Sequence, residues 1–493
     1  MSDYKYGVFG QVKESIVSSS APSRTVLVYL GTAPVNLVRG FAGQDIVNTP
    51  VKLTSKLDAQ GKLGHSGDWG SFTLCEAVSL HFENPLGNIG PIYAINVLDP
   101  ALHKKAEPTT QTLTFANGRA AILSDTIILD SLLLEDKVEG VDFTVDYDFN
   151  RKMAIISSLG DEVITGSVTA TFEEVDPAAV TAEDIIGGVT AKGEYSGLGS
   201  LQLLYQEQNA VPNLIAAPGW SHIPAVYQAM CSAAQQINGH WEAFVLADIP
   251  LADGEGEAID TIAAAAKWAR GKGYSMERSK AYWPMGRDLA GRAVHLSTLA
   301  AVEMLRADES HNGIPMETPA NKPVPIGGLY FGQGSKNRGF DQQQANQLCE
   351  SGLSTAIFWG GRWVLWGDHT AAYTYGADVD PRAIFDVNLR MLYHIVNSFQ
   401  QEWGTTIDKP FTRGLKDSIL NKEQEKLDAL VAMGALIGSP KIEFLEEENP
   451  TNSLMNGVFR WDVAATPTPP LKSAAVYVGY TDAGFAAYFA GGK

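Results

Sequence analysis

The chain has 493 residues, 45% of them apolar and 9% aromatic, which is enough to bury a sizeable core and too much for a disordered polymer. Lys and Arg total 37 against 56 Asp and Glu, a formal charge of −19 whose field repels phosphates and anionic headgroups, so direct nucleic-acid binding and a membrane-surface role are disfavoured. At roughly 100–200 residues per domain, the length predicts two to four domains.

Cys75, Cys231 and Cys349 are too few and too far apart for a disulfide framework or a four-ligand zinc site, and read as buried thiols made in a reducing compartment. The start, Met1 to Gly7, has neither the basic flank nor the apolar segment of a signal peptide. No apolar run approaches the roughly 18–20 residues of a spanning helix, so no membrane insertion is expected.

In chain order, Tyr4, Tyr6 and Val8 alternate with Lys5 and Gly7, which predicts a short strand with no partner nearby in sequence. Thr25 to Leu30 reads as a strand ended by Gly31-Thr32-Ala33-Pro34. Between about Thr110 and Val175 the period is two, with runs at Thr112–Phe115, Phe143–Tyr147 and Ser167–Phe172, which predicts a compact antiparallel β module with a decorative polar surface. From Val211 strands and helices alternate. Leu214–Ala217 precedes a helix from Ser221, Phe244–Asp248 precedes one from about Glu257, and Ala281–Pro284 leads into one over Asp288–Arg306. That rhythm predicts right-handed crossovers and a mostly parallel sheet.

Asp380-Pro381 opens the clearest helix, carried by Ile384, Phe385, Met391, Leu392, Ile395, Phe399 and Trp403 at three- and four-residue spacing. A second helix spans roughly Leu415 to Met433. Strands follow at Val458–Val463 and Ala475–Val478, split by a stiff linker over Thr466–Pro470.

Tests for chemistry are negative. Gly219-Trp220-Ser221-His222-Ile223 lacks the second glycine of a nucleophile elbow, so Ser221 reads as a helix cap. Asp248, Asp253, Glu255, Glu257 and Asp260 lack the alternate spacing of a calcium loop, and the last two read as helix first-turn acids. The glycines from Gly327 to Gly339 fit neither phosphate-loop pattern and read as a flexible surface loop. The nine histidines form no metal-binding pair, and His394 reads as a packed or partly exposed imidazole. No catalytic residue, metal or cofactor is predicted.

The stretch Trp366-Gly367-Asp368-His369-Thr370-Ala371-Ala372-Tyr373, followed by Asp380-Pro381-Arg382, Asn388–Met391, Ile407–Pro410, Gly434–Gly438 and Glu448-Asn449-Pro450, resembles the contractile tail sheath proteins of bacteriophages and phage-like particles. Asn213–Gly219, Ala247–Pro250 and Ser310–Lys322 are similar to the family's middle domain, and Gly31–Pro34 with Asn48–Val51 to its opening. His369 stands where many sheath proteins carry an arginine.

The resemblance implies an α/β and α+β multidomain fold. Its parts would be an extended arm (1–24), the first part of an α/β region (25–107), an inserted antiparallel β module (108–181), an α/β middle domain (182–355), and an α+β C-terminal polymerisation domain (356–493) with a terminal arm from about 471. It implies a non-enzymatic subunit, assembled in the bacterial host cytoplasm, that forms stacked helical rings around a tail tube protein between baseplate and tail terminator proteins. Tyr4, Tyr6 and Val8 at one end and Val476, Val478 and Tyr480 at the other would lend strands to neighbours, and Trp366, Gly367 and Thr370 carry the family motif. The alternative is an α/β enzyme with its site in the crevice near Ser221, Asp248 and Pro284.

Overall fold

The computed structural model describes residues 24–160 and 163–490. Its centre is an eight-stranded sheet built from β1 (Leu27–Gly31), β2 (Pro50–Leu53), β3 (Ile92–Asn96), β4 (Leu214–Ala216), β5 (Phe244–Asp248), β6 (Ser279–Tyr282), β7 (Leu353–Trp359) and β8 (Arg362–Trp366). The order across the sheet is β8-β7-β6-β5-β4-β1-β3-β2. The six inner strands run parallel, and β2 and β8 close the edges antiparallel. Strands buried on both faces are expected to be apolar throughout, and β1 and β5 are buried at every residue.

Helices cover the faces: α1 (Leu74–Phe82), α2 (Pro224–Ala233), α3 (Ile262–Gly271) and α4 (Leu296–Ser310). Every residue of α4 from Leu296 to Leu305 is buried, so this helix is an internal post rather than a surface layer. The chain then builds a second, smaller core where α5 (Asp386–Trp403) and α6 (Arg413–Ala432) meet the two-stranded sheet of β9 (Leu436–Glu443) and β10 (Asp462–Pro467). Met391, Leu427, Leu430, Leu436 and Ile442 fill it.

Between β3 and β4 lies the β module, two three-stranded antiparallel sheets. One pairs Thr109–Phe115, Gly166–Phe172 and Leu133–Leu134, and the other Arg119–Ile122, Met153–Ser158 and Phe143–Asp148. It has its own core of Leu113, Phe115, Ile122, Phe143, Val145, Ile156 and Phe172, into which Leu37 reaches from outside. Beside Leu37, the Asn36 side-chain amide donates to the carbonyls of Asp125 (3.1 Å) and Ile127 (2.8 Å), fastening the module to the main body.

Several local expectations are corrected. The third strand is followed by a hairpin, Met285–Asp288 against Ala293–Val294, so the next helix begins at Leu296 and not near Asp288; Gly291 at φ +86° makes the turn. Glu257 and Asp260 precede α3, whose cap is Thr261. Part of the glycine-rich segment, Ile326–Tyr330, is a strand paired with Met285–Asp288, because Gly286 lies against Ile326 where a Cβ would sit 3.1 Å from its side chain. Pro381–Ala383 is a single tight turn capped by Asp380, and the long helix starts three residues later. The boundary expected at 356 falls inside β7. Thr466, expected in a linker, is paired within β10, which begins at Asp462 rather than Val458.

Candidate assembly interface

Trp366 ends β8, and its indole N–H donates to the Asn346 side chain at 2.9 Å. The chain must then turn closely under β7. Gly367 does so at φ +113°, and a Cβ there would lie 2.7 Å from Ser354 Oγ and 3.1 Å from Ser354 Cα. Three residues on, the buried Thr370 hydroxyl donates to the Ala383 carbonyl, and before it His369 Nδ1 donates to the Ile384 carbonyl at 2.9 Å. The imidazole is sandwiched between Tyr373 (ring centroids 3.5 Å apart, 8° between planes) and Phe385 (5.2 Å, 17°). The Trp366–Thr370 corner thereby ties the last strand of the main sheet to the entry of α5.

Two buried ion pairs complete the joint. Lys280 on β6 has no exposed side-chain surface and donates to Asp386 on α5 at 2.7 Å and to the His369 carbonyl at 3.1 Å. Thr318 Oγ1 donates to the same Asp386 oxygen at 3.0 Å. One turn further along α5, Arg390 pairs with Asp308 near the end of α4, and the Thr25 hydroxyl donates to Asp308 at 2.7 Å. Burial pushes the Asp308 carboxyl above its ordinary range, with Arg390 pulling the other way. A charge left unpaired at this depth would be strongly unfavourable, so these pairs lock α5 to the α/β body.

Past the joint, the C-terminal segment separates from the molecule. Thr468 is still held, its N–H donating to Ala435 (3.0 Å) and its hydroxyl to Gly434 (2.7 Å). From Leu471 to Tyr480 the chain carries no helix or strand and its apolar side chains face outward: Val476 is 84% exposed, Val478 89% and Tyr480 87%. It ends in α7 (Ala483–Ala490), which exposes Phe485, Tyr488 and Phe489. Among the described residues, β9 and β10 pair only with each other; the Gln424 side chain of α6 bonds the outer edge of β9 at Pro440 and Ile442, and the outer edge of β10 carries no strand.

No protein-family model matches the chain. It is 27% identical over 506 aligned residues to the tail sheath protein of Burkholderia phage BcepMu, covering 96% of this chain and 95% of that one. It is 23% identical over 320 residues to the tail sheath protein of Escherichia phage P2, covering 63% and 74%. The fold matches the helical sheath of the anti-feeding prophage in its contracted state at a TM-score of 0.53, with 15% identity and 98% and 99% of the two chains covered. It matches the contracted sheath complex of the extracellular injection system PVC at 0.54, with 14% identity and the same coverage. The chain is related to the contractile tail sheath proteins.

Against that sheath relationship, the residues of the enzyme alternative take other roles. Ser221 does not cap α2, which begins at Pro224 behind Ile223. Its buried Oγ instead accepts from the Asp248 N–H at 3.1 Å. Asp248 is buried, accepts from Ser297 N–H (3.1 Å) and Ser297 Oγ, and is held above its ordinary range by burial. It anchors the start of α4. Asp253 shapes a turn by accepting from the N–H groups of Glu255 and Glu257 at 2.9 Å each. At the carboxyl end of β1, where the strand order reverses and α/β enzymes open a crevice, Thr73 packs so tightly that a Cβ on Gly31 would come within 2.2 Å of its hydroxyl.

The structure gathers Trp366, Gly367 and Thr370 at one corner, and sets Val476, Val478 and Tyr480 on the departing segment. Tyr4, Tyr6 and Val8 lie outside the described residues. Sequence reasoning missed Lys280, Asp386, Asp308 and Arg390. A lysine inside a strand of a doubly covered sheet was the available signal, since it demands a buried anion.

Proposed function

We propose that the chain is the repeating structural subunit of a contractile sheath, which assembles with copies of itself in a phage tail or phage-like particle and contracts to drive an inner tube through a bacterial envelope. The observation that carries this is the end-to-end match with the BcepMu tail sheath protein, 96% of one chain against 95% of the other. The work is mechanical, and no enzymatic step belongs to it.

On this reading the subunit stacks in helical rings around a tail tube protein, meets a baseplate at one end and a terminator at the other, and assembles in the host cytoplasm. The C-terminal segment lends Val476, Val478 and Tyr480 to a sheet edge on another copy; the outer edge of β10, which no strand covers among the described residues, and an exposed, β-branched donor support it. Residues 1–24 would serve as a second arm through Tyr4, Tyr6 and Val8. The smaller unit is best cut after Trp366, where the main sheet ends, and residues 108–181 are read as an outward decoration.

Negative-stain imaging of the purified full chain tests the proposal. Tubes or stacked rings are expected; a discrete small oligomer that never lengthens under any assembly condition would overturn it.

A further inference from the structure

The C-terminal segment touches its own subunit again after Thr468. Lys472 Nζ bonds to His369 Nε2 and lies 5.1 Å from the centre of the Tyr373 ring, a cation–π distance. The geometry fixes the protonation state of the imidazole. Nδ1 faces the Ile384 carbonyl, an acceptor only, so it carries the proton; Nε2 faces an ammonium, a donor only, so it must offer its lone pair. A neutral His369 accepts Lys472, and a doubly protonated one cannot.

We infer that Lys472 and His369 form a pin that divides the C-terminal segment into a strap fixed to its own subunit and a free arm beginning at Ser473, and that protonation of His369 opens it. The pin positions the arm at its exit and is not itself an interface. Its effect on assembly rests on the strand-lending reading, whereas the pin rests on contacts within one chain.

The groups facing the imidazole come from every element around it. Asp368 on the same loop has a carboxylate oxygen 3.6 Å from Nε2, Lys280 reaches the His369 carbonyl from β6 with Asp386 of α5 as its counter-ion, Tyr373 stacks on the ring, and Lys472 arrives from the strap. Cys349 lies near enough to sense Lys280, Asp368 and Lys472 and is pushed up to about 12 by burial, so it stays a neutral thiol. Burial lowers His369 from 6.5, Asp368 and the Ile384 carbonyl oppose that, and Lys472 and Lys280 add to it. The depressed value puts the transition on the acid side: the pin is complete above pH 6.5 and is lost as the pH falls below it.

Trypsin cleavage of the Lys472–Ser473 bond in the full chain reads the pin, normalised to cleavage after the exposed Lys192 to cancel the protease's own pH dependence. In the wild type the normalised rate is expected to rise several-fold as the pH is taken from about 7.5 down through the acid range below 6.5, to the lowest pH at which the chain stays folded. His369→Phe keeps the stack but removes the acceptor, and should be cleaved fast at both ends of that range. His369→Gln restores a donor and an acceptor without titrating, and should be protected at both. A flat wild-type ratio, or equal rates for wild type, Phe and Gln variants, would overturn the pin. Tube formation by Val476, Val478 and Tyr480 variants is scored separately by imaging, so failure of strand lending leaves the cleavage result standing.

Discussion

Lys280 and Asp386 show how a single residue couples the two cores. Each is fully buried, and each has the other as its ionic partner. Replacing Lys280 by Met should leave Asp386 as an uncompensated buried carboxylate, lowering stability by about 3–5 kcal/mol, while Lys280→Met with Asp386→Leu should recover most of that loss. Urea unfolding of the two variants distinguishes them, and equal destabilisation would show that the pair acts through shape alone. A second buried contact has a pH signature. Burial alone would depress His295, but its Nδ1 is 2.7 Å from a Glu76 carboxylate oxygen and the charge raises it from 6.5 to about 9. Because the folded value is raised, the stabilisation is fully present below pH 6.5 and is lost as the pH rises through about 9, on the order of 3 kcal/mol in all. Glu76→Gln should therefore lower the unfolding midpoint most at about pH 6.5 and just below, with the gap narrowing above neutrality and closing in alkali. His81, His222 and His394, held at about 4 by burial, work in the opposite sense and make the fold acid-labile between 6.5 and 4.

At the scale of elements, the β module tests how far a domain with its own core can be removed. Leu37 is the body's apolar guest in its core, Ile128 of the module packs in turn into the main core, and the Asn36 amide, the Arg39 guanidinium and the Ser66 hydroxyl tie the two together. Replacing Thr109–Phe172 by a short Gly/Ser linker should leave the eight-stranded sheet folded and expose Leu37, and adding Leu37→Ser should restore solubility if the exposed leucine is sticky. Circular dichroism and gel filtration of the two deletions check this, and an unfolded main body would show that the module is part of its support. The module and the helices around α5 were legible because period two and period 3.6 dominate their sequences. The hairpin after β6 was not, since Met285–Asp288 and Ala293–Val294 are short and pair partly with Ile326–Tyr330, some forty residues away. Ser221 was misread for a similar reason: it is a common cap residue locally, and only the fold brings it against Asp248. The Trp366–Thr370 corner was recognisable as a pattern, but its role in seating α5 depends on Lys280 from a strand almost ninety residues earlier.

For the whole molecule, the decisive asymmetry is between a body built around filled apolar cores and a C-terminal segment whose apolar side chains join none of them. Leu471, Val476, Tyr477, Val478 and Tyr480 contribute nothing to either core, and the free stretch from Ser473 to Asp482 could reach roughly 30–35 Å if fully extended. That span exceeds the thickness of a helix or a sheet layer and suits a neighbouring copy better than the parent. Truncation after Lys472 should leave the unfolding midpoint almost unchanged, because the pin and both cores survive, and should abolish long tubes. Each lent strand would add several backbone hydrogen bonds at roughly 0.5–1.5 kcal/mol net apiece, and their loss recurs at every subunit of the polymer. Pro substitution at Val476 and Val478 tests the same idea without shortening the chain, since proline donates no ladder bond and side-chain exposure at both sites means the folded body does not feel it. Sedimentation and negative-stain images of the truncation and the double proline variant settle the matter: tubes of normal length from either protein would refute strand lending, and a shifted unfolding midpoint in either would place the segment in its own subunit's core.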